Sequence, residues 1–161
     1  MQVLNTHSRT IAATVEATGN LLNSLGSPSD RLWPIHAWPP MRLDRPLQPG
    51  ATGGHGPIRY TVESYEPGRV ATFRFVAPRG FDGTHCFTVT GTEGGTVLSH
   101  TISMSAHGVG VALWLLVFRP LHDALLEDAL TNAERTLTGK AAPVPWSLYV
   151  RCLRAILRRR K

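Results

Sequence analysis

The stretch RVATFRFV, residues 69–76, and its neighbours IRYTVESY (58–65), THCFTVT (84–90) and VLSHTISM (97–104) decide the fold. In each stretch apolar and polar residues alternate, which is typical of a strand with one buried face. Short turns such as Glu66-Pro67-Gly68 and Glu93-Gly94-Gly95 separate them. Closely spaced strands joined by short turns predict an antiparallel sheet.

The residues that precede this meander predict one more strand and two helices. Residues 2–11 have the pattern of an opening strand, and Thr14 is the expected N-cap of a first helix. Ser27-Pro28-Ser29-Asp30 predicts the start of a second, short helix. The Pro- and Gly-rich segment from Trp33 to Gly56 predicts mostly irregular structure that packs on the body or covers it.

A long helix is predicted to follow the meander, from Val109 to Thr138, with a kink at Pro120 and a C-cap at Gly139. Its longest apolar run, Val109 to Phe118, is about half of the ~20 residues that span a bilayer, so no transmembrane helix is expected. One sheet with a long covering helix is an α+β arrangement. We divide the chain into a domain, 1–140, and a basic amphipathic helix, 141–161.

Charge is distributed unevenly along the chain. The net charge is +6, yet residues 1–140 contain 11 Lys+Arg and 11 Asp+Glu. The six excess charges all lie in the last eleven residues and are Arg151, Arg154, Arg158, Arg159, Arg160 and Lys161. A basic face on the main domain is therefore not implied, and no nucleic-acid partner is expected.

The two cysteines, Cys86 and Cys152, show no metal-binding or disulfide-framework spacing. A reducing compartment is the simple interpretation. The N-terminus lacks a basic start followed by an apolar run, so no signal peptide is expected. We therefore predict a cytoplasmic protein. Peripheral contact with the inner face of the membrane, through the C-terminal helix, is the alternative.

Strand parity selects the side chains that face the long helix, because alternate residues of a strand point to the same side. The predicted inner face is aromatic and aliphatic, with Tyr60, His85 and His100 as its polar members. These three are the candidate catalytic groups, since an imidazole can exchange protons near neutral pH. A buried histidine that is hydrogen-bonded to a neighbour is the alternative interpretation.

An apolar face with a few polar groups is the general form of a small-molecule site. The predicted ligand contacts come from the strands, the long helix and a lid over the mouth formed by Trp33, Trp38 and Met41, for which anchoring of the loop is the alternative. The predicted ligand-binding set is Trp33, Trp38, Tyr60, Val62, Phe73, Phe75, His85, Phe87, His100, Ile102, Met104, Trp114, Val117 and Leu121.

No cofactor or metal site is expected from the spacing of residues. None of the seven histidines has a ligand-spaced partner, and His122 and Asp123, adjacent on a helix, are expected to point apart. The glycine-rich stretch 50–56 lacks the lysine and hydroxyl of a phosphate-binding loop.

The C-terminal helix, from Trp146 onwards, is amphipathic. Trp146, Tyr149, Val150, Leu153, Ile156 and Leu157 form an apolar stripe, and Arg151, Arg154 and Arg158 line another side. This pattern suits a helix on an anionic membrane. Docking of the stripe on the domain or on a second subunit, with the arginines in water, is the favoured alternative, and a homodimer stays open.

Several stretches resemble the START/Bet v 1-like (SRPBCC) superfamily, in particular its polyketide cyclase/dehydrase-like branch. The carriers are Ser8-Arg9-Thr10-Ile11-Ala12-Ala13, Gly54 to Val62 followed by Tyr65-Glu66-Pro67-Gly68 and Phe73-Arg74-Phe75, and Gly80-Phe81-Asp82-Gly83-Thr84-His85. The resemblance covers about residues 2–138 and implies a helix-grip fold. The chain departs from it in having no proline after Ala13 and in the segment beyond Gly139.

Three functions follow as hypotheses. The first is binding of a hydrophobic or aromatic small molecule, or a lipid, between sheet and helix. The second is a polyketide cyclase/dehydratase-like enzyme that uses a cavity His or Tyr to move a proton. The third is a membrane-surface or partner-binding protein acting through its tail. Scarcity of acid/base groups on the inner register favours binding and leaves the question of an enzyme open.

Overall fold

The structure, a computed structural model, describes residues 1–158 of the chain and the side chains of residues 1–157. Arg159, Arg160 and Lys161, which were predicted to extend the basic C-terminal helix, lie outside the described residues, as does the side chain of Arg158.

Seven antiparallel strands form one curved sheet in the order β1-β7-β6-β5-β4-β3-β2. The four predicted meander strands are all present, together with the predicted opening strand at one edge. The strands are β1 (Gln2–Ile11), β2 (Arg42–Leu43), β3 (Thr52–His55), β4 (Ile58–Glu66), β5 (Val70–Ala77), β6 (Phe81–Thr92) and β7 (Gly95–Ala106).

The observed register aligns the apolar sides of neighbouring strands. Phe73 pairs with His85, and Phe87 pairs with His100. Because paired residues in an antiparallel ladder share a face, the alternation read from the sequence becomes one continuous apolar surface.

The long helix crosses this surface and is built from three segments: α2 (Val109–Leu113), a π-helical turn (Trp114–Phe118) and α3 (Arg119–Thr138). The predicted kink at Pro120 is expressed as the π turn that precedes it, in which the Arg119 N–H bonds to the carbonyl of Trp114. Gly139 caps the helix with a φ of 72°, as expected.

The long helix meets the length and composition of a membrane-spanning segment, with a mean hydropathy of 1.5 in its most apolar window. In the fold, however, Leu125, Leu126 and Leu130 are buried in the main hydrophobic core. These leucines pack against the sheet, whereas only 22% of the most apolar window of the helix is buried.

The prediction of a second short helix at residues 27–30 is wrong. After α1 (Val15–Asn23), which Thr14 caps through a bond from Ala17 N, these residues form turns. The Asp30 carboxylate accepts hydrogen bonds from the backbone N–H groups of Gly26, Leu32 and Trp33. A short polar side chain that bonds the local backbone in this way competes with helix formation.

Residues 33–56 are mostly irregular, as predicted, but they also contain β2 and β3, which extend the sheet beyond β4. β3 was not predicted from the sequence because it contains two glycines, and glycine is a poor strand former. At Gly53 the reason is steric, because a Cβ there would lie 2.0 Å from the carbonyl oxygen of Arg42. The close pairing of β2 with β3 therefore requires glycine.

Candidate ligand-binding cavity

A cavity of about 740 Å³ lies between the sheet and the long helix, and the 33–39 loop and β3 form its rim. Nine of the predicted ligand-contact residues line it, drawn from the sheet, the loop and the helix. They are Trp33, Trp38, Phe75, His85, His100, Ile102, Trp114, Val117 and Leu121.

The other five predicted contacts do not line the cavity: Tyr60, Val62, Phe73, Phe87 and Met104. All five are buried. The ring of Phe73 stacks on that of His85 at 4.8 Å between centroids, and the ring of Phe87 meets His100 edge-on at 4.5 Å. Parity identified the correct face, but it could not distinguish side chains that border the cavity from those packed solidly behind them.

His85 and His100 form a buried pair in the cavity wall. Their Nδ1 and Nε2 atoms, respectively, are 3.0 Å apart. Burial lowers the pKa of both imidazoles well below the ordinary value, and neighbouring histidines lower it further. The pair is therefore neutral at physiological pH, so one ring donates its N–H to the bare nitrogen of the other.

The outer nitrogens of this pair, His85 Nε2 and His100 Nδ1, are buried and have no hydrogen-bond partner within residues 1–158. In either tautomeric arrangement one of these atoms carries a proton and the other does not. The pair thus holds one unsatisfied donor and one unsatisfied acceptor within a mostly apolar wall that also includes His55, His122 and Arg154. Unsatisfied buried polar atoms are costly, and a ligand with matching groups relieves that cost.

Tyr60, the third candidate catalytic residue, lies behind the cavity wall rather than in it. Its hydroxyl is 3.3 Å from Nδ1 of His55, and its ring contacts Phe73 and His85. Burial raises its pKa far above the ordinary value. Tyr60 is accordingly a neutral support for the histidines and is placed to act only through them.

Three histidines of the cavity were not among the predicted contacts: His36 in the 33–39 loop, His55 on β3 and His122 on α3. Burial lowers the pKa of His55 to about 3 and also lowers that of His122. A helical period that places Leu121 and Leu125 on the cavity side should also have drawn attention to the neighbouring His122, whereas the glycines around His55 obscured its strand.

His7, His122 and Asp123 bring three donor atoms within 4.8 Å of one another. These three residues are not spaced as metal ligands along the sequence, and it is the fold that brings them together. The sequence could not show the group, because His7 reaches the helix through the pairing of β1 with β7. His122 and Asp123 do not bond to each other, since their nearest nitrogen and oxygen are 3.8 Å apart.

The predicted lid residues are fixed to the body. Trp33, Trp38 and Met41 are all buried, and the two tryptophans line the cavity. The indole N–H of Trp33 donates to the Pro39 carbonyl at 2.9 Å, and that of Trp38 donates to Asp128 Oδ2 at 2.7 Å. The two tryptophans therefore both line the cavity and anchor the loop, whereas Met41 is buried without lining it.

The C-terminal helix, α4 (Leu148–Arg158), packs beside this rim. The prediction that its arginines face away from the domain is wrong for Arg154, which is 8% exposed. Its guanidinium packs against the rings of both Trp38 and Trp146, which meet edge-on, at 3.9 and 4.0 Å from their centroids, and donates to the Ala37 carbonyl. Arg154 and Leu157 contribute to the cavity lining.

No protein-family model and no curated protein sequence matches this chain. Solved structures do match its fold. The di-domain aromatase/cyclase StfQ from the steffimycin biosynthetic pathway aligns with a TM-score of 0.64 at 15% identity, over 86% of this chain and 51% of that protein. The chain thus spans about half the length of StfQ.

Two further structures are similar over most of both chains. CalU16 from Micromonospora echinospora aligns with a TM-score of 0.58 at 16% identity, covering 99% of this chain and 92% of that one. A Thalictrum flavum norcoclaurine synthase variant, solved with a transition-state analogue, gives 0.61 at 12% identity, over 81% and 92%. At these identities the likeness shows the fold alone.

Proposed function

We propose that this chain, which has the helix-grip fold of the START/Bet v 1-like (SRPBCC) superfamily, binds a hydrophobic aromatic small molecule between its sheet and its long helix. The observation that carries the proposal is the cavity, whose apolar wall contains imidazole nitrogens without partners in the described chain. Its volume of about 740 Å³ falls within the common range for drug-sized ligands.

The chemistry of the wall defines the class of ligand. Trp33, Trp114 and Phe75 offer flat faces and edges that suit aromatic rings. Because His85 and His100 are neutral and present one donor and one acceptor, a phenol or carbonyl group is favoured over an ion. The ligand is therefore a neutral, largely aromatic molecule with a small number of oxygen atoms.

Catalysis is the second candidate, and the His85–His100 contact is the observation that favours it. When one outer nitrogen accepts a proton, the shared proton can move across the 3.0 Å contact and the other outer nitrogen can release its own. Such a pair could shift a proton on a folded carbonyl-bearing substrate without carrying net charge. This is the chemistry expected of a cyclase/dehydratase-like enzyme.

Binding is tested first with the purified protein, by native mass spectrometry for a co-purified ligand and by titration with N-phenyl-1-naphthylamine, a neutral fluorescent probe of the cavity. Filling the cavity with Val117→Trp and Leu121→Trp together should weaken binding of the probe several-fold. The matched control is Val76→Trp, at a position 64% exposed on the outer face. Equal binding by the filled variant and the control would reject the cavity as the site.

The two candidates separate when His85 and His100 are each replaced by Gln. A binding protein should lose part of its affinity for the ligand identified by mass spectrometry and should leave that compound chemically unchanged. An enzyme should keep most of its affinity and lose conversion of the compound in both variants, because each imidazole is needed for the proton relay.

A further inference from the structure

The group formed by His7, His122 and Asp123 lies where β1 meets α3, beside the cavity wall. His7 Nε2 is 3.0 Å from Asp123 Oδ1, and His122 Nδ1 is 3.8 Å from the same oxygen. Two imidazole nitrogens and a carboxylate oxygen form a donor set used by first-row transition ions in proteins.

A further layer of contacts holds two of the donors in place. Glu127 Oε1 is 2.9 Å from His7 Nδ1, and Arg9 binds the other oxygen of Glu127 at 3.0 Å. Asn5 Nδ2 donates to Asp123 Oδ1 at 3.0 Å. A carboxylate on the far nitrogen of a histidine fixes the ring and its tautomer, which is the arrangement that supports histidine ligands in metal sites.

His122 supplies the independent observation. Both of its ring nitrogens are buried, and neither has a hydrogen-bond partner in the part of the chain that the structure describes. The ring centroid lies 5.9 Å from that of His7 and 5.0 Å from that of His100. Buried polar atoms in proteins nearly always have a bonding partner. A metal ion shared with the neighbouring carboxylate and imidazole would supply one to His122.

We propose that His7, His122 and Asp123 bind a divalent first-row transition ion, with Zn²⁺ as the expected occupant. Metal–ligand bonds of about 2.0–2.2 Å require the most widely separated donors to approach by about 1 Å, a side-chain adjustment. The nitrogen-rich donor set disfavours Mg²⁺ and Ca²⁺, which prefer oxygen ligands.

Of the three proposed ligands, only His122 lines the cavity, and Asp123 lines a smaller neighbouring pocket, so the ion would lie behind the cavity wall. Three protein ligands leave the ion with an open coordination position, as in zinc sites that polarise a carbonyl or bind water. The metal site stands independently of the proposed ligand, since it requires only the three side chains and their supports.

The test is titration of the metal-free protein with Zn²⁺ by calorimetry and with Co²⁺ by visible absorption. The variants His122→Gln and Asp123→Asn should each bind at least about tenfold more weakly, and Glu127→Gln about 10–100-fold more weakly through loss of support for His7. The matched control is His107→Gln, an exposed histidine outside the group, which should bind like the wild type. Equal affinity of the wild type and His122→Gln would overturn the proposal.

A measurement on the wild-type protein guards against variants that fail to fold. Zn²⁺ should shift the imidazole nitrogen resonances of His7 and His122 in slow exchange and leave those of His36 and His107 unchanged. Shifts confined to the exposed histidines, or no shifts with Zn²⁺ in excess, would show that the group is an ion-pair cluster only and would overturn the proposal.

Discussion

His85 Nδ1 lies 3.0 Å from His100 Nε2, which joins neighbouring strands β6 and β7 through two neutral imidazoles inside the fold. Phe73 stacks on the first ring and Phe87 meets the second edge-on, so that aromatic side chains hold both in place. The pair is therefore held rigidly at the cavity wall, as a binding or catalytic group needs to be.

The first prediction is that acid destabilises the protein through this pair. Burial lowers the pKa of both imidazoles in the folded state, whereas the unfolded chain titrates near 6.5. Below that pH the unfolded state binds more protons, so the free energy of unfolding falls as the pH falls, by about 1.4 kcal/mol per pH unit for each histidine. Urea denaturation at several pH values between 7.5 and 4.5 measures this slope.

The double variant His85→Phe/His100→Leu isolates the contribution of the pair. In this variant the slope of the free energy of unfolding against pH should be smaller by about 2–3 kcal/mol per pH unit, because two buried groups no longer titrate. The control His107→Gln, at an exposed position, should keep the full slope. If the double variant kept the same dependence of unfolding free energy on pH, the acid sensitivity would come from other groups.

The second prediction separates the core from the cavity wall. Phe87 is fully buried behind the wall and does not line the cavity, whereas Phe75 lines it. Phe87→Ala should lower the free energy of unfolding by about 3–5 kcal/mol, since it creates a new void in packed surroundings. Phe75→Ala should cost clearly less, because its ring already borders open space. Chemical denaturation of both variants provides the comparison, and equal losses would contradict the assignment.

The sequence predicted the sheet and its apolar face because strand alternation is a local property, visible at Phe73 and Phe87 without tertiary information. It did not predict which members border the cavity, because that depends on the curvature of the sheet and on the path of the π turn before Pro120. The sequence also could not predict the group of His7, His122 and Asp123, because it forms only when β1 pairs with β7 at the edge of the sheet. The location in a reducing compartment, binding of lipid and formation of a homodimer remain predictions.

The third prediction concerns the clamp formed by Trp38, Arg154 and Trp146, which attaches α4 to the rim of the cavity. Both indoles donate to Asp128 Oδ2, at 2.7 and 2.9 Å. Arg154→Lys should lower the free energy of unfolding by about 1–2 kcal/mol, because an ammonium cannot pack against both rings as a planar guanidinium does. Arg151→Lys, at an exposed position of the same helix, is the matched control.

Thermal unfolding and tryptophan fluorescence measure the effect on the clamp. The emission of Arg154→Lys should shift to longer wavelength as the indoles gain solvent, and Arg151→Lys should resemble the wild type. Identical spectra and stabilities for the two variants would show that the clamp does not hold α4.

The fourth prediction is that α4 binds anionic membranes through the side that it leaves uncovered. Leu148, Tyr149, Ile156 and Leu157 are between 45% and 74% exposed, and Leu115 and Leu116 of the π turn are exposed beside them. Tyr149 connects the two elements by donating its hydroxyl to the Leu116 carbonyl at 2.6 Å. Apolar side chains next to the exposed Arg151 match the pattern of an interfacial helix.

Co-sedimentation with vesicles that contain phosphatidylglycerol should therefore fall sharply for Ile156→Glu and be abolished when residues 143–161 are deleted. Leu4→Glu, a change of similar chemistry at a 79% exposed site on β1, should bind as the wild type does. Because basic residues act through charge, binding should also weaken as salt increases. Unchanged partitioning after the deletion would remove the membrane role and leave α4 as a wall of the cavity only.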